Sequence, residues 1–441
     1  MLLALTLCNY RSFATEATLD LTARSFRRNV PADGDWAGVT ERAVAIFGAN
    51  ASGKSTVIRA VGQLMDAVRE SLRTAEPVKA LRDPHKLSPD EDTVFETDYA
   101  DARAGIRFRW VLRLDDAGIV EESLKANHTG HWRSVFERRR NDIDFGAHSD
   151  IPRAARDNLR EFLDEWTLVL SAWSRARTRG RYYGAVSWWT DGLHVLGVLG
   201  TRDHEHPGAM ALADHPSWSG AGRQVMQAAD VGLTGLRVDL EEAPPETAER
   251  IRQLNRLLAG EDVDREPDID ADVRKVIEHR LVFTHGSGEQ AFDLPEHEES
   301  SGTRVWFDLS LRVVFALATG SVLCVDELDE SLHPRLTNYL VSLFTSPGSN
   351  PSGAQLLFTA HDVTLLGNQL DSGLSRSAVW LTEKVGSRSS LIALDEFPLA
   401  KNHNIARRYL SGVYGAVPEP DPGLVREIRK LRREFLEFVG G

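Results

Sequence analysis

The run Gly48-Ala49-Asn50-Ala51-Ser52-Gly53-Lys54-Ser55-Thr56 constrains this chain more than any other stretch. It has the form G-x-x-x-x-G-K-[ST], which needs a strand before it and a helix after it. Ala43 to Phe47 is a short apolar run of strand type. Beyond the loop, Val57, Ala60, Val61, Leu64, Met65 and Val68 recur at helical spacing as far as Arg69. The glycines let backbone N–H groups curl round a polyphosphate, and the helix N-terminus adds positive dipole there. In such a loop Lys54 reaches the β- and γ-phosphates and Ser55 holds Mg²⁺. The expected ligands are therefore ATP and Mg²⁺.

Val322-Leu323-Cys324-Val325-Asp326-Glu327 has the form of a Walker B strand. Four apolar residues bury the strand and put Asp326 at its C-terminal end, where ligands sit in an open α/β sheet. Asp326 would hold Mg²⁺ and Glu327 would polarise the attacking water as general base. The competing reading, a buried strand ending in two solvated acids, loses weight beside the phosphate loop. Glu299-Ser300-Ser301-Gly302-Thr303 precedes a helix. Ser300 to Thr303 read either as an ordinary helix cap or as hydroxyls and N–H groups presented to a phosphate. His361 follows the apolar strand Leu356 to Ala360 and reads either as structural or as a γ-phosphate sensor.

These strings resemble a known group. Gly48 to Thr56, Glu299 to Thr303, Asp326-Glu327-Leu328-Asp329-Glu330-Ser331-Leu332-His333-Pro334 and Thr359-Ala360-His361-Asp362 look like the AAA-type ATP-binding proteins of the OLD and abortive-infection group. That group belongs to the ABC ATPase clade, with the SMC and RecF heads. Tyr409 to Pro418 is similar to its C-terminal segment. The resemblance covers residues 1–127 and 280–418. It implies an α/β P-loop NTPase with an ABC-type mixed sheet and an antiparallel β subdomain. It implies that two heads sandwich two ATPs, each between one subunit's phosphate loop and the other's Ser300 to Thr303, in a homodimer or higher homo-oligomer. The magnesium-ligand, base and switch roles carry to Asp326, Glu327 and His361, and the D-loop to Leu328 through His333. The group also implies a regulator in antiphage defence that controls a separate effector, a toxin or a nuclease. Two departures stand out. No glutamine lies between Gln63 and Gln224 to act as a Q-loop residue, and about 23 residues after Pro418 leave no space for a Toprim nuclease.

The rest of the chain divides accordingly. Residues 1–127 and 280–418 are expected to form the two halves of the head, 128–279 a mostly helical inserted subdomain, and 419–441 a charged C-terminal helix. Arg107, Arg109 and Arg113 alternate with Phe108, Trp110, Leu112 and Leu114 between two other strand-like runs, which predicts an antiparallel sheet with one wet face. Helical periodicity appears in Ile151–Trp173 and Glu246–Leu258. Glu261 to Asp268 is an acidic, solvated loop, and His204, His206 and His215 have no metal-like companions. A net charge of −13 argues against a generally basic nucleic-acid binder and leaves room for a local patch. The candidates are Arg133–Arg140 and Arg175–Arg181, the latter beside Tyr182, Tyr183, Trp188 and Trp189; each reads as a nucleic-acid contact, or as a solvated face or an interface for an acidic protein. Two cysteines without metal-ligand spacing suit a reducing, cytoplasmic setting. Met1 to Leu7 lacks a basic n-region and reads as a first strand, not a signal peptide. The apolar stretch Val313–Val325 is too short to cross a membrane. Two other functions fit the same residues: a DNA-repair ATPase like RecF, and a scaffold that ATP locks into an oligomer.

Overall fold

The computed structural model describes residues 1–23, 26, 30–31, 34–128, 130–176, 180–197, 224, 227, 232–242, 277–367, 372–398, 404–415, 417 and 423–440. The chain begins with β1 (Leu2–Cys8), β2 (Ala17–Asp20), β3 (Ala43–Gly48), α1 (Lys54–Glu70) and α2 (Glu76–Leu81). Five strands follow: β4 (Thr93–Asp101), β5 (Ile106–Asp115), β6 (Gly118–Asn127), β7 (Trp132–Arg139) and β8 (Asp142–Phe145). Then come α3 (Arg153–Phe162), α4 (Val169–Ser174), α5 (Gly184–Asp191), β9 (Leu193–Leu196), β10 (Leu233–Glu242), β11 (Ile277–His285) and β12 (Phe292–Pro295). The last part holds α6 (Ser301–Thr319), β13 (Val322–Val325), α7 (Pro334–Thr345), β14 (Gln355–Thr359), β15 (Val379–Val385), β16 (Arg388–Ala393), α8 (Ile405–Leu410) and α9 (Gly423–Gly440).

The phosphate-loop strand β3 sits inside a six-stranded sheet of order β16-β15-β3-β14-β13-β9. Its five inner and far strands run parallel, and β16 pairs antiparallel with β15. Both faces are covered, so these strands read as unbroken apolar runs, not as alternating ones. Val44 and Ile46 face one core, with α1 and the second sheet; Ala43, Ala45 and Phe47 face the other, with α6 and α7. The second sheet is wholly antiparallel, order β2-β1-β4-β5-β6-β7-β8. It lies across α1 from the first and closes that core. Its other face is not simply wet. Arg107 is buried against Asp98, and Arg107 and Arg109 lie 5.5 and 5.1 Å from the Trp132 ring centre.

The expected boundary at 127/128 cuts this sheet. β7 pairs with β6 from Trp132 to Arg139, and β8 extends it. Four arginines in residues 133–140 mask a strand whose Val135, Phe136 and Arg138 are buried. The segment 128–279 is helical from α3 to α5, but its described residues also give β9 to the parallel sheet and β10 to a three-stranded sheet with β11 and β12. The helix read at Glu246–Leu258, the acidic loop at Glu261–Asp268 and the three histidines lie outside the described residues. The tail is helical as read. Its exposure extends to its apolar row, however: Leu424, Ile428, Leu431 and Phe435 are exposed along with its charges.

Part of the first basic run is structural. Arg138 is fully buried 3.8 Å from the equally buried Glu122, and it donates to the carbonyls of Arg140, Asp164 and Thr167. Arg140 pairs with Asp115. Tyr182, Trp188 and Trp189 are buried, with Trp188 stacked on Tyr99 at 4.7 Å, so they present no ring to a nucleic-acid base. Their role is core packing, which their position beside Arg175–Arg181 in sequence did not reveal.

Candidate nucleotide site

Parallel pairing brings the C-terminal ends of β3, β14 and β13 to one edge of the sheet. There the chain leaves β3 as the glycine loop and leaves β13 as Asp326-Glu327. It leaves β14 toward His361. A cleft of about 660 Å³ opens at this edge. Asn50, Ala51, Gly53, Lys54, Ser55, Thr56, Glu327 and His361 line it. Arg11, Ser12 and Lys384 also line it. These three were not legible in sequence: they come from a turn after β1 and from the end of β15, far from any motif.

The loop has the backbone its glycines allow. Gly48 has φ 158° and a Cβ there would stand 2.3 Å from Thr382 Oγ1 and 2.5 Å from the Thr382 carbonyl. Gly53 has φ 116°, and α1 starts at the next residue without a side-chain cap or an acid in its first turn. Its free N–H groups and dipole therefore face the cleft uncompensated. Ser52 is buried and its hydroxyl shares a 2.5 Å hydrogen bond with Thr382 Oγ1. Lys54 Nζ donates to the carbonyls of Gly48 at 2.9 Å and Ala49 at 3.2 Å. Burial lowers the Lys54 pKa below the ordinary lysine value, against the pull of Glu327, Asp326 and Asp329.

The acidic strand end is built as a relay of hydrogen bonds. The Thr359 hydroxyl donates to Asp326 Oδ1 at 2.6 Å and accepts the Glu327 N–H at 2.7 Å. Glu327 itself has φ 56°, a left-handed conformation that non-glycine residues seldom take. Its carboxylate stands 3.7 Å from His361 Nε2. Asp329 Oδ2 accepts the N–H groups of His361 at 2.8 Å and Asp362 at 2.6 Å. Burial, then Glu327, Asp329 and Asp326, raise the Glu330 pKa above the usual carboxylate value. Thr359 and Asp329 lie inside the motif strings, but the strings gave neither of them its hydrogen-bonding role. The hydroxyl at the end of an otherwise apolar β14 was the available signal for Thr359.

Ser300 to Thr303 stand apart from this cleft. Ser300 caps α6: its Oγ accepts the Thr303 N–H at 3.1 Å. Gly302 approaches the next motif, where a Cβ would lie 3.2 Å from the Ser331 carbonyl. Within one chain, then, Lys54, Ser55, Glu327 and His361 share a cleft with Asp326 behind them, and Ser300 to Thr303 do not join its lining. Among the described residues no three His, Cys, Asp or Glu side chains gather as a metal site, and no helix is long and apolar enough to cross a membrane.

Residues 43–183 and 233–367 match the family model described as "AAA domain, putative AbiEii toxin, Type IV TA system". No curated protein matches the sequence. Among solved structures, the chain is similar to the SMC head domain from Thermotoga maritima, at 12% identity and a TM-score of 0.40, over 89% of this chain and 98% of that one. It is also similar to an Smc head domain bound to the C-terminal domain of ScpA derived from Pyrococcus furiosus, at 11% identity and a TM-score of 0.37, over 93% and 99% of the two chains.

Proposed function

Because the chain belongs to this AAA domain family, whose model matches more than half of it, we propose that it is a Mg²⁺-dependent ATPase of the ABC clade acting as a nucleotide-driven regulator. The observation that carries this reading is the convergence of Lys54, Ser55, Glu327 and His361 on one cleft, with Asp326 behind them, at the C-terminal edge of a parallel sheet. The loop amides Gly48 to Thr56 and the start of α1 bind the polyphosphate. Lys54 leaves the Gly48 and Ala49 carbonyls for phosphate oxygens. Ser55 and Asp326 would hold Mg²⁺, with water and phosphate oxygens completing its shell, as suits an ion that prefers such partial sites. The metal would neutralise phosphate charge. Glu327 takes the proton of the attacking water, and His361, 3.7 Å from it, reports on the γ-phosphate.

A second subunit completes the site. Ser300 to Thr303 open α6 with Ser300 and Ser301 exposed, outside the cleft of their own chain. They suit the sandwich in which each subunit supplies this segment to its partner's nucleotide. The setting we infer is antiphage defence of the abortive-infection type, with turnover holding or releasing a separate effector protein. The toxin–antitoxin description of the family supports that setting.

The test has two stages. Glu327→Gln is expected to keep ATP binding, lose about 10²- to 10⁴-fold in turnover, the range of a general base, and accumulate as an ATP-bound dimer on native mass measurement. Wild-type turnover in this variant would refute the base assignment. Purification of the wild-type chain after co-expression with its genomic neighbours is then expected to give a complex whose mass depends on ATP. A chain that copurifies with no neighbour under any nucleotide condition refutes effector control.

A further inference from the structure

The two basic runs lie more than thirty residues apart in sequence, yet they meet in the structure. A second cleft, of about 550 Å³, is lined by Arg133, His148, Asp150, Arg156, Arg181 and their neighbours. Arg133 comes from β7, Arg156 from α3 and Arg181 from the turn before α5. Among the described residues none of the three forms an ion pair. Arg156 donates instead to the Ile151 carbonyl and Ser149 Oγ, both at 2.8 Å, with its guanidinium over the Phe145 ring. The one carboxylate in the lining, Asp150, accepts the backbone N–H of Arg181 at 2.9 Å. Arg181 and Arg133 both act on the nearby His128, whose pKa is lowered by burial first and by these two cations next.

The local helix is charged against its own dipole. α3 starts at Arg153 after Pro152 with no side-chain cap and no acid in its first turn. Arg153 and Arg156 add positive charge at its positive end, where anions are favoured and cations are not. A chain of net charge −13 thus concentrates three guanidiniums and a helix N-terminus in one cleft against a single lining carboxylate, Asp150. Such an arrangement costs free energy in the empty protein and is relieved by an anion.

We propose that this cleft binds the phosphate groups of a nucleic-acid backbone, independently of the nucleotide cleft. Guanidiniums suit phosphate oxygens by their planar fork of donors. The recognition is of backbone and not of sequence: Tyr182, the one Phe, Tyr or Trp among the lining residues, is buried and packs its ring edge-on against Phe108. Arg138 and Arg140, held by Glu122 and Asp115, take no part.

The test is fluorescence anisotropy of a labelled 20-mer, single-stranded and duplex, with the full-length chain and no ATP. Three phosphate contacts give a slope of log K against log salt of about −2 for a single strand, at roughly −0.7 per contact. Raising salt fourfold then weakens binding by about 18-fold. Arg133→Gln with Arg181→Gln is expected to cut the slope to about −0.7. Arg133→Lys with Arg181→Lys is expected to keep most of it, and both variants to keep the melting temperature and basal ATPase rate of the parent. Unchanged affinity and slope in the glutamine variant overturn the proposal. So does polyglutamate or a free mononucleotide competing as well as the oligonucleotide at equal charge, which would mark a general anion sink or a second nucleotide pocket.

Discussion

Thr359→Val isolates the relay that holds the acidic end of β13. The substitution keeps the volume and shape of a fully buried side chain and removes one oxygen. That oxygen donates to Asp326 Oδ1 at 2.6 Å and accepts the Glu327 N–H at 2.7 Å. Loss of a hydrogen bond to a charged group costs about 1.5–3 kcal/mol, and an unsatisfied buried N–H costs about 1–3 kcal/mol. Part of this is recovered by relaxation, because Glu327 sits at φ 56°, a conformation that itself costs on the order of 1–3 kcal/mol. The net expectation is a stability loss of about 2–4 kcal/mol. The functional cost follows from what relaxes: the backbone that aims the Glu327 carboxylate. A misplacement near 1 Å costs on the order of 10²-fold in rate. Nucleotide affinity, set by the loop and Lys54, is expected to change by less than about threefold, so the loss appears in turnover and not in binding. Steady-state hydrolysis and equilibrium titration of a fluorescent ATP analogue separate the two, with Thr359→Ser as the variant that restores both bonds. If the valine variant hydrolyses ATP at the parental rate, the relay does not position the base and the argument fails. Equal losses in the valine and serine variants would refute it as well.

Two further outcomes follow from packing. Gly48→Ala is expected to abolish nucleotide binding in titration and to lower stability by about 1–3 kcal/mol, since its Cβ meets both Thr382 Oγ1 and the Thr382 carbonyl. Adding Thr382→Ala removes only the first clash and is expected not to restore binding. Arg138→Ala strips the buried Glu122 of its counter-charge, and chemical denaturation is expected to show a loss of about 3–5 kcal/mol, with much of it regained when Glu122→Gln is added.

What the sequence made legible was whatever depends on local order along the chain. β14, read to within a residue at each end, and the start of α7 follow from an apolar run and from His333-Pro334. The glycine loop and Asp326-Glu327 are strings with one workable geometry, and both arrived where the strings required. Positions whose meaning depends on a distant partner were not legible. Arg138 belongs to a basic run in sequence and to a buried pair with Glu122 in space. Arg133 and Arg181 reach one cleft only because β7 and the turn before α5 fold beside α3. β9 is four residues long and includes His194, too short and too polar to read as a strand; parallel pairing with β13 makes it one. Arg11 and Lys384 reach the nucleotide cleft from elements with no motif of their own.

The electrostatics of Lys54 tie this architecture to a measurable pH dependence. Its ammonium is buried beneath the loop, which disfavours the charged form, and the carboxylates of Glu327, Asp326 and Asp329 offset that only in part. Its pKa in the nucleotide-free protein is therefore lower than that of an ordinary lysine. A polyphosphate seated on the loop adds negative charge beside the ammonium and raises the pKa again. Proton linkage fixes the sign: the bound state holds its proton more tightly, so ATP binding takes up a proton at alkaline pH, and affinity falls as pH rises between the two pKa values. The limiting slope is about one decade of affinity per pH unit for a single group. Below the depressed pKa both states are protonated and affinity is level. Titration of ATP from neutral pH upward is expected to show this decline beginning below the usual lysine range. Calorimetry in two buffers of different ionisation enthalpy is expected to show proton uptake over the same interval. Lys54→Arg, protonated throughout, is expected to remove both effects in whatever binding it keeps. Proton release on binding, or an equal decline in the arginine variant, would mean that another group governs the alkaline limb and that the burial of Lys54 is without consequence for nucleotide affinity.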